Sequence, residues 1–261
     1  MASPRLVASD LDGTLLRSDG TVSQRTRAAV QRLYELGIEF VVLTARSPRW
    51  IAEPAAALGV RGVAVCSNGA MVYELESSRV VARHALEAEA IRRLVLALRE
   101  AAPGVAFACE REDLSIREPA YEPLWASPDE HARVDALEFA LAPVAKLVAQ
   151  HPELSQAELY ELAAAICGAD ATATISGERL VEISAAGVTK AFALEQLCAE
   201  RGIEASEVVA FGDMPNDLPL LRWAGRGIAV ANAHPDVVAA ADELTASNDE
   251  DGVALVLERL W

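Results

Sequence analysis

The chain has 261 residues and a formal net charge of −16, with hydrophobic residues at 52% and charged residues at 24%. That length holds one large domain or two modest ones, at roughly 100 to 200 residues each, and the composition is that of a folded protein. The acidic excess speaks against nucleic acid or an anionic membrane surface as partner, because both are held by clustered Lys and Arg, so a phosphorylated ligand has to be small and locally neutralised.

Residues 6–9 form a short apolar run that ends in acidic and glycine residues. Ser23 is placed to cap a helix reaching Leu36, and Gly37 stops it. The apolar run 38–43 has strand length, a helical segment follows over 48–58, and 63–66 is a further strand. Strand and helix alternate here three times, which predicts a parallel sheet covered by helices on both faces. The C-terminal part repeats the rhythm, with strands at 208–211 and 227–230, helices at 217–223 and 235–241, and a last helix from Gly252.

The pattern differs in between: a long Ala- and Leu-rich helix over 87–101, strands near 105–109 and 114–118, a helix near 129–139, a strand over 144–148, a helix over 155–167, and strands over 171–176 and 180–184. The expected fold class is therefore α/β, a doubly wound parallel-sheet core with an inserted α+β domain. Residues 1–82 and 188–261 are assigned to the core and 83–187 to the insert.

Cys66, Cys109, Cys167 and Cys198 are scattered, without a C-x-x-C pair or grouped His, and read as reduced, buried thiols. With no secretory hydrophobic segment at the start and no run of ~18 apolar residues, the expectation is a cytoplasmic protein without a membrane partner.

Ligands of open α/β sheets bind outside the carboxyl ends of the strands, where strand order reverses. Four polar clusters fall at such ends. Asp10-Leu11-Asp12-Gly13-Thr14 sends two carboxylates from a strand tip, with Gly13 allowing close backbone approach to an anion; an ordinary Asp-Gly turn is the plainer alternative. Thr44-Ala45-Arg46 offers a hydroxyl and a guanidinium, or only a helix cap and a solvated Arg. Lys190 opens a helix in a chain whose other lysine is Lys146 and whose remaining 21 basic residues are arginine, which hints at a need for a compact point charge; a surface lysine is the alternative. Gly212-Asp213-Met214-Pro215-Asn216-Asp217 adds two carboxylates and an amide, or else a capped helix start. Taken together, the four clusters contain what phosphoryl transfer requires: carboxylates for a hard cation, a positive charge for the phosphate and a nucleophile.

Asp-x-Asp-Gly-Thr, then Thr44, then Lys190, then Gly-Asp-x-x-Asn-Asp, in that order, resembles the four-motif signature of the haloacid dehalogenase-like superfamily. Ser67-Asn68-Gly69-Ala70, Gly187-Val188-Thr189-Lys190, Asn232-Ala233 and the tail 245–254 are similar to its Cof-type branch, whose members carry an α/β (type IIB) cap after the third strand. The chain departs from that pattern at Met214-Pro215 and at Ala185-Ala186, without loss of a catalytic group.

The resemblance implies a phosphoric monoester hydrolase in which Asp10 is the nucleophile and Asp12 the general acid and base. It implies Mg²⁺ on Asp10, Asp213 and the backbone carbonyl of Asp12, with Asp217 and Asn216 orienting that shell. Gly13, Thr44, Arg46, Lys190 and Asn216, with Asp12, would surround the phosphate. The substrate would be a small phosphorylated metabolite, a sugar phosphate for example, and the protein a monomer or homodimer. Arg117, Tyr121 and Trp125, as hydrogen-bonding or stacking groups in the insert, are candidates for contacts to the leaving group, with surface or core packing the plainer alternative. A phosphomutase of the same fold and a non-catalytic phospho-ligand module are the competing readings; the latter would ordinarily have lost Asp10 or Asp12.

Overall fold

The computed structural model describes residues 4–112, 114–123 and 133–260. Two compact units are present: one takes the chain up to Ala82 and resumes at Thr189, and the other runs Arg83–Val188.

In the first unit, β1 (Leu6–Asp10) is buried along its whole length, as is β2 (Glu39–Leu43) after its first residue. Such unbroken apolar strands suit the middle of a parallel sheet, where both faces are covered. Between them, α1 (Gln24–Glu35) begins where Ser23 accepts from the Thr26 amide and buries Ala29, Val30 and Leu33. Next come α2 (Ala52–Leu58), β3 (Val63–Cys66), β4 (Met71–Glu74) and β5 (Arg79–Arg83). After the second unit the chain returns as α5 (Lys190–Arg201), β11 (Val208–Gly212), α6 (Leu218–Trp223), β12 (Arg226–Ala229), α7 (Pro235–Ala240), β13 (Glu243–Leu244) and α8 (Gly252–Leu257).

The eight strands lie in the order β13-β12-β11-β1-β2-β3-β4-β5, parallel from β13 to β3, with β4 antiparallel to β3. From β1 the chain moves to β2 on one side, while β11 enters on the other. Strand order therefore reverses at β1, and its carboxyl end is the place where such sheets open a ligand crevice.

The second unit has α3 (Ala88–Ala101), β6 (Ala106–Glu110), β7 (Ser115–Arg117), β8 (Lys146–Gln150), α4 (Gln156–Cys167), β9 (Ala171–Thr174) and β10 (Val181–Ala185). Its sheet, β7-β6-β8-β10-β9, is antiparallel at every pairing. One face packs on the two helices through Phe107, Cys109, Leu147, Ile183, Ile91, Leu94 and Leu159. The fold is thus a doubly wound α/β core with an inserted α+β unit.

Three local expectations need correction. No α-helix occupies the described part of 129–139: Arg133 is held in a bridge with Arg117, Asp135 is extended, and a 3-10 helix covers Ala136–Leu141. The strand expected at 144–148 begins at Lys146, because Val144 is taken by a bridge to Leu86. The pair β4 and β5 was not expected, since β5 alternates between exposed and half-buried residues and gives no apolar run. Residues 129–132, in that expected helix, lie outside the described residues.

Candidate active site

Asp10 is the last residue of β1 and lies beside Leu43 in β2. Thr44 follows β2 and is fully buried; its hydroxyl oxygen accepts the Arg46 amide at 3.0 Å. From the other side of β1, the turn after β11 carries Asp213, Asn216 and Asp217, all buried. Lys190 is the first residue of α5, where the Thr189 hydroxyl caps the Phe192 amide at 3.1 Å, so helix geometry fixes the direction in which its side chain leaves.

These elements bring one ammonium and three carboxylates together. Lys190 Nζ donates to Asp10 Oδ1 at 2.5 Å and to Asp217 Oδ1 at 2.7 Å, and Lys190 is only 1% exposed. The other oxygen of Asp217 accepts the amides of Asp213 and Met214 at 3.0 and 3.1 Å. Asp213 Oδ1 accepts the Thr14 hydroxyl at 2.7 Å. Gly13 makes this approach possible: its φ is +79°, and a Cβ there would stand 2.4 Å from Asp213 Oδ2. Asn232 Nδ2 ties the Gly13 carbonyl at 2.7 Å.

Asp10, Asp213 and Asp217 each offer an oxygen such that all three lie within 4.8 Å of one another. Three carboxylates against one ammonium leave an excess of two negative charges in a buried place. Burial first, and then the neighbouring carboxylates Asp217 and Asp213, push the Asp10 carboxyl well above its ordinary value. The Asp213 carboxyl is pushed up to about 6 by burial and by Asp217. Burial alone would lower Lys190, but Asp10 and Asp217 outweigh it and hold the ammonium charged. Hard oxygen donors, spaced for a common partner and short of two positive charges, fit a small divalent cation.

Several expected residues take different positions. The Asp12 carboxylate is outside this cluster and half-exposed, and it is bound by both Nε and Nη2 of Arg46 at 2.8 and 2.5 Å. Arg46, expected at the phosphate, faces a carboxylate. Asp217 has both oxygens engaged and serves as an anchor for Lys190 and the 213–214 backbone. Asn216 donates to Asn68 Oδ1 at 3.0 Å, while its own Oδ1 is buried without a hydrogen bond. In the second unit Tyr121 packs with Ala108, Val148 and Leu180, Arg117 lies in β7, and Trp125 lies outside the described residues.

Thr14, Asn68 and Asn232 were given no role from the sequence, although each falls within a quoted motif. Their partners lie 199, 148 and 219 residues away, so no local signal marks them.

Residues 7–257 match the haloacid dehalogenase-like hydrolase family, and the chain belongs to it. It is an enzyme of that family, of the Cof type that its motifs resemble. A Bacillus subtilis relative, 5-amino-6-(5-phospho-D-ribitylamino)uracil phosphatase YcsE, is 26% identical over 98% of this chain and 95% of its own. Phosphatase YwpJ of the same organism is 27% identical, covering 98% of this chain and 99% of its own. Among solved structures, SMU.1108c from Streptococcus mutans superposes with a TM-score of 0.84 at 26% identity, covering 98% of each chain.

Proposed function

We propose that the protein is a Mg²⁺-dependent phosphatase that hydrolyses a small phosphorylated metabolite through an aspartyl-phosphate on Asp10. The observation that carries this reading is the buried group of Asp10, Asp213 and Asp217 around Lys190, at the point where strand order reverses. The phosphatase names of relatives that match this chain over nearly its full length support it.

The Asp10 carboxylate attacks phosphorus in line. The ester P–O bond breaks, and Asp12 supplies the proton that the departing alkoxide takes. Asp12, now ionised, accepts a proton from water as that water attacks the aspartyl-phosphate, which returns the Asp10 carboxylate and frees inorganic phosphate. In the structure Arg46 holds both oxygens of Asp12, so either proton transfer requires that contact to open first. Thr44 and Lys190 receive the phosphoryl oxygens: the Thr44 oxygen already accepts an amide, which leaves its hydroxyl proton to donate.

Asp10, Asp213 and the Asp12 carbonyl would hold Mg²⁺, with Asp217 bracing them. When bound, the cation offsets the two excess charges and lowers the repulsion between the nucleophile and a phosphate dianion.

The test is release of inorganic phosphate from a panel of sugar and polyol phosphates, with Mg²⁺ and with excess EDTA. Mg²⁺-dependent release supports the reading, and undiminished turnover in EDTA sinks the metal assignment. Conversion of one phosphate ester to an isomer without free phosphate would identify a phosphomutase instead.

A further inference from the structure

Between β3 and β4 the chain makes a 3-10 turn, Ser67–Gly69, in which three successive residues are left-handed, with φ of 51°, 56° and 100°. Residues with a Cβ rarely take that conformation, and two in succession are costly. The Ser67 hydroxyl is in addition buried without a hydrogen bond. Such a backbone persists only where its surroundings over-determine it.

Here the surroundings are three other segments of the same site. The Ser67 amide donates to the Arg46 carbonyl at 2.8 Å and the Asn68 amide to the Thr44 carbonyl at 3.1 Å, which ties the turn to the segment after β2. Asn68 Oδ1 accepts the Asn216 side chain at 3.0 Å, which ties it to the turn after β11. Gly69 lies against the first peptide of α5. A Cβ on it would stand 2.1 Å from the Thr189 carbonyl oxygen and 3.3 Å from the Lys190 amide nitrogen. That carbonyl accepts the Ala193 amide at 3.2 Å, so it cannot swing aside without breaking the first turn of the helix.

We propose that the turn Ser67–Gly69 sets Thr44, Lys190 and Asn216 against Asp10, with Asn68 and Gly69 as its positioning residues; the consequence for catalysis rests on the phosphatase reading. Neither residue has to touch substrate. The absence of a Cβ at Gly69 lets α5 begin close enough to the end of β3 for Lys190 Nζ to reach Asp10. The two amides of the turn hold the backbone that carries Thr44, and the Asn68 side chain fixes the direction of the Asn216 amide. Most of these contacts are made by backbone groups, which have no rotamers to lose, so the turn holds three mutually distant segments in one arrangement.

The experiment uses the full-length protein with p-nitrophenyl phosphate and Mg²⁺. Gly69→Ala should push the start of α5 away and lower kcat about 10²-fold, with KM changed by less than about threefold because Thr44 still receives the phosphate. Gly37→Ala is the control, since it places a Cβ at a comparable left-handed φ of +74° with nothing within 4 Å. It should melt at a lower temperature and keep the wild-type kcat. Asn68→Gly accepts the left-handed backbone without steric cost and removes the bond to Asn216; it should stay folded and lose about tenfold in kcat.

A kcat for Gly69→Ala within about threefold of wild type, or an equal loss in Gly37→Ala, overturns the proposal. If Gly69→Ala does not fold, Asn68→Gly decides, and a wild-type kcat there overturns it. If the wild type itself releases no phosphate, the phosphatase reading fails, and crystal structures of the variants test the positioning separately. Loss of the Lys190–Asp10 bond in Gly69→Ala but not in Gly37→Ala supports it; retention of that bond in both refutes it.

Discussion

Arg46 holds Asp12 by two parallel hydrogen bonds, Nε to Oδ2 at 2.8 Å and Nη2 to Oδ1 at 2.5 Å. The two side chains are 34% and 51% exposed, so the pair contributes less than about 1 kcal/mol to stability and can open at little cost to free Asp12 for proton transfer. Asp12→Asn removes a proton donor needed to expel a poor leaving group and a base needed to hydrolyse the intermediate. An aryl phosphate departs with little help. The variant should therefore release a burst of about one equivalent of phenol per site, then turn over about 10² to 10⁴ times more slowly than wild type. Stopped-flow absorbance checks this, and loss of the burst along with the steady rate would give Asp12 a placement role only.

Asp10→Asn replaces a carboxylate that burial already disfavours by a neutral amide of the same shape. Folding stability of the metal-free protein should change by no more than about 1 kcal/mol, because Lys190 keeps Asp217 as partner. Turnover should fall more than about 10⁴-fold, as for removal of a nucleophile. Denaturant melts and phosphate release give the two numbers.

Gly13→Ala meets two obstacles at once, a left-handed φ of +79° and a Cβ 2.4 Å from Asp213 Oδ2. A strain of about 1 to 3 kcal/mol and displacement of Asp213 should follow, with Mg²⁺ affinity lowered about tenfold or more. Melting curves and titration of activity against Mg²⁺ test this together, and unchanged affinity would place Asp213 outside the metal site.

The pH dependence follows from Asp213. Its carboxyl titrates near 6 in the folded, metal-free protein and near 3.8 in the unfolded chain. Between those values the folded state holds a proton that the unfolded state has lost. Stability from this group therefore falls as pH rises from about 4 to 6, by on the order of 3 kcal/mol, and stays low above 6. Mg²⁺ binds the ionised carboxylate, so the rise in Tm on adding it should be larger at pH 7.5 than at pH 5. Calorimetry at the two pH values decides; a smaller rise at pH 7.5 would contradict the assignment.

Apolar runs and their stops were enough to place β1, β2, β3 and β11 and the helices between them, because buried parallel strands are apolar on both faces and glycines end the helices. The same reading put Asp10, Thr44, Lys190 and Asp213 at strand ends or a helix start, since those positions follow directly from where the runs finish. Sequence alone could not show that Arg46 turns to Asp12, that Thr14 reaches Asp213, or that Asn68 meets Asn216. Each is a contact between distant stretches, settled by strand order and by the left-handed backbone at Asn68, φ 56°. The edge strand β5 and the 3-10 helix at Ala136–Leu141 were equally illegible, because pairing partners rather than local pattern created them. Lys146 and Glu182 gave no motif in the chain; only the register of β8 against β10 sets them on one face, where they form a buried ion pair.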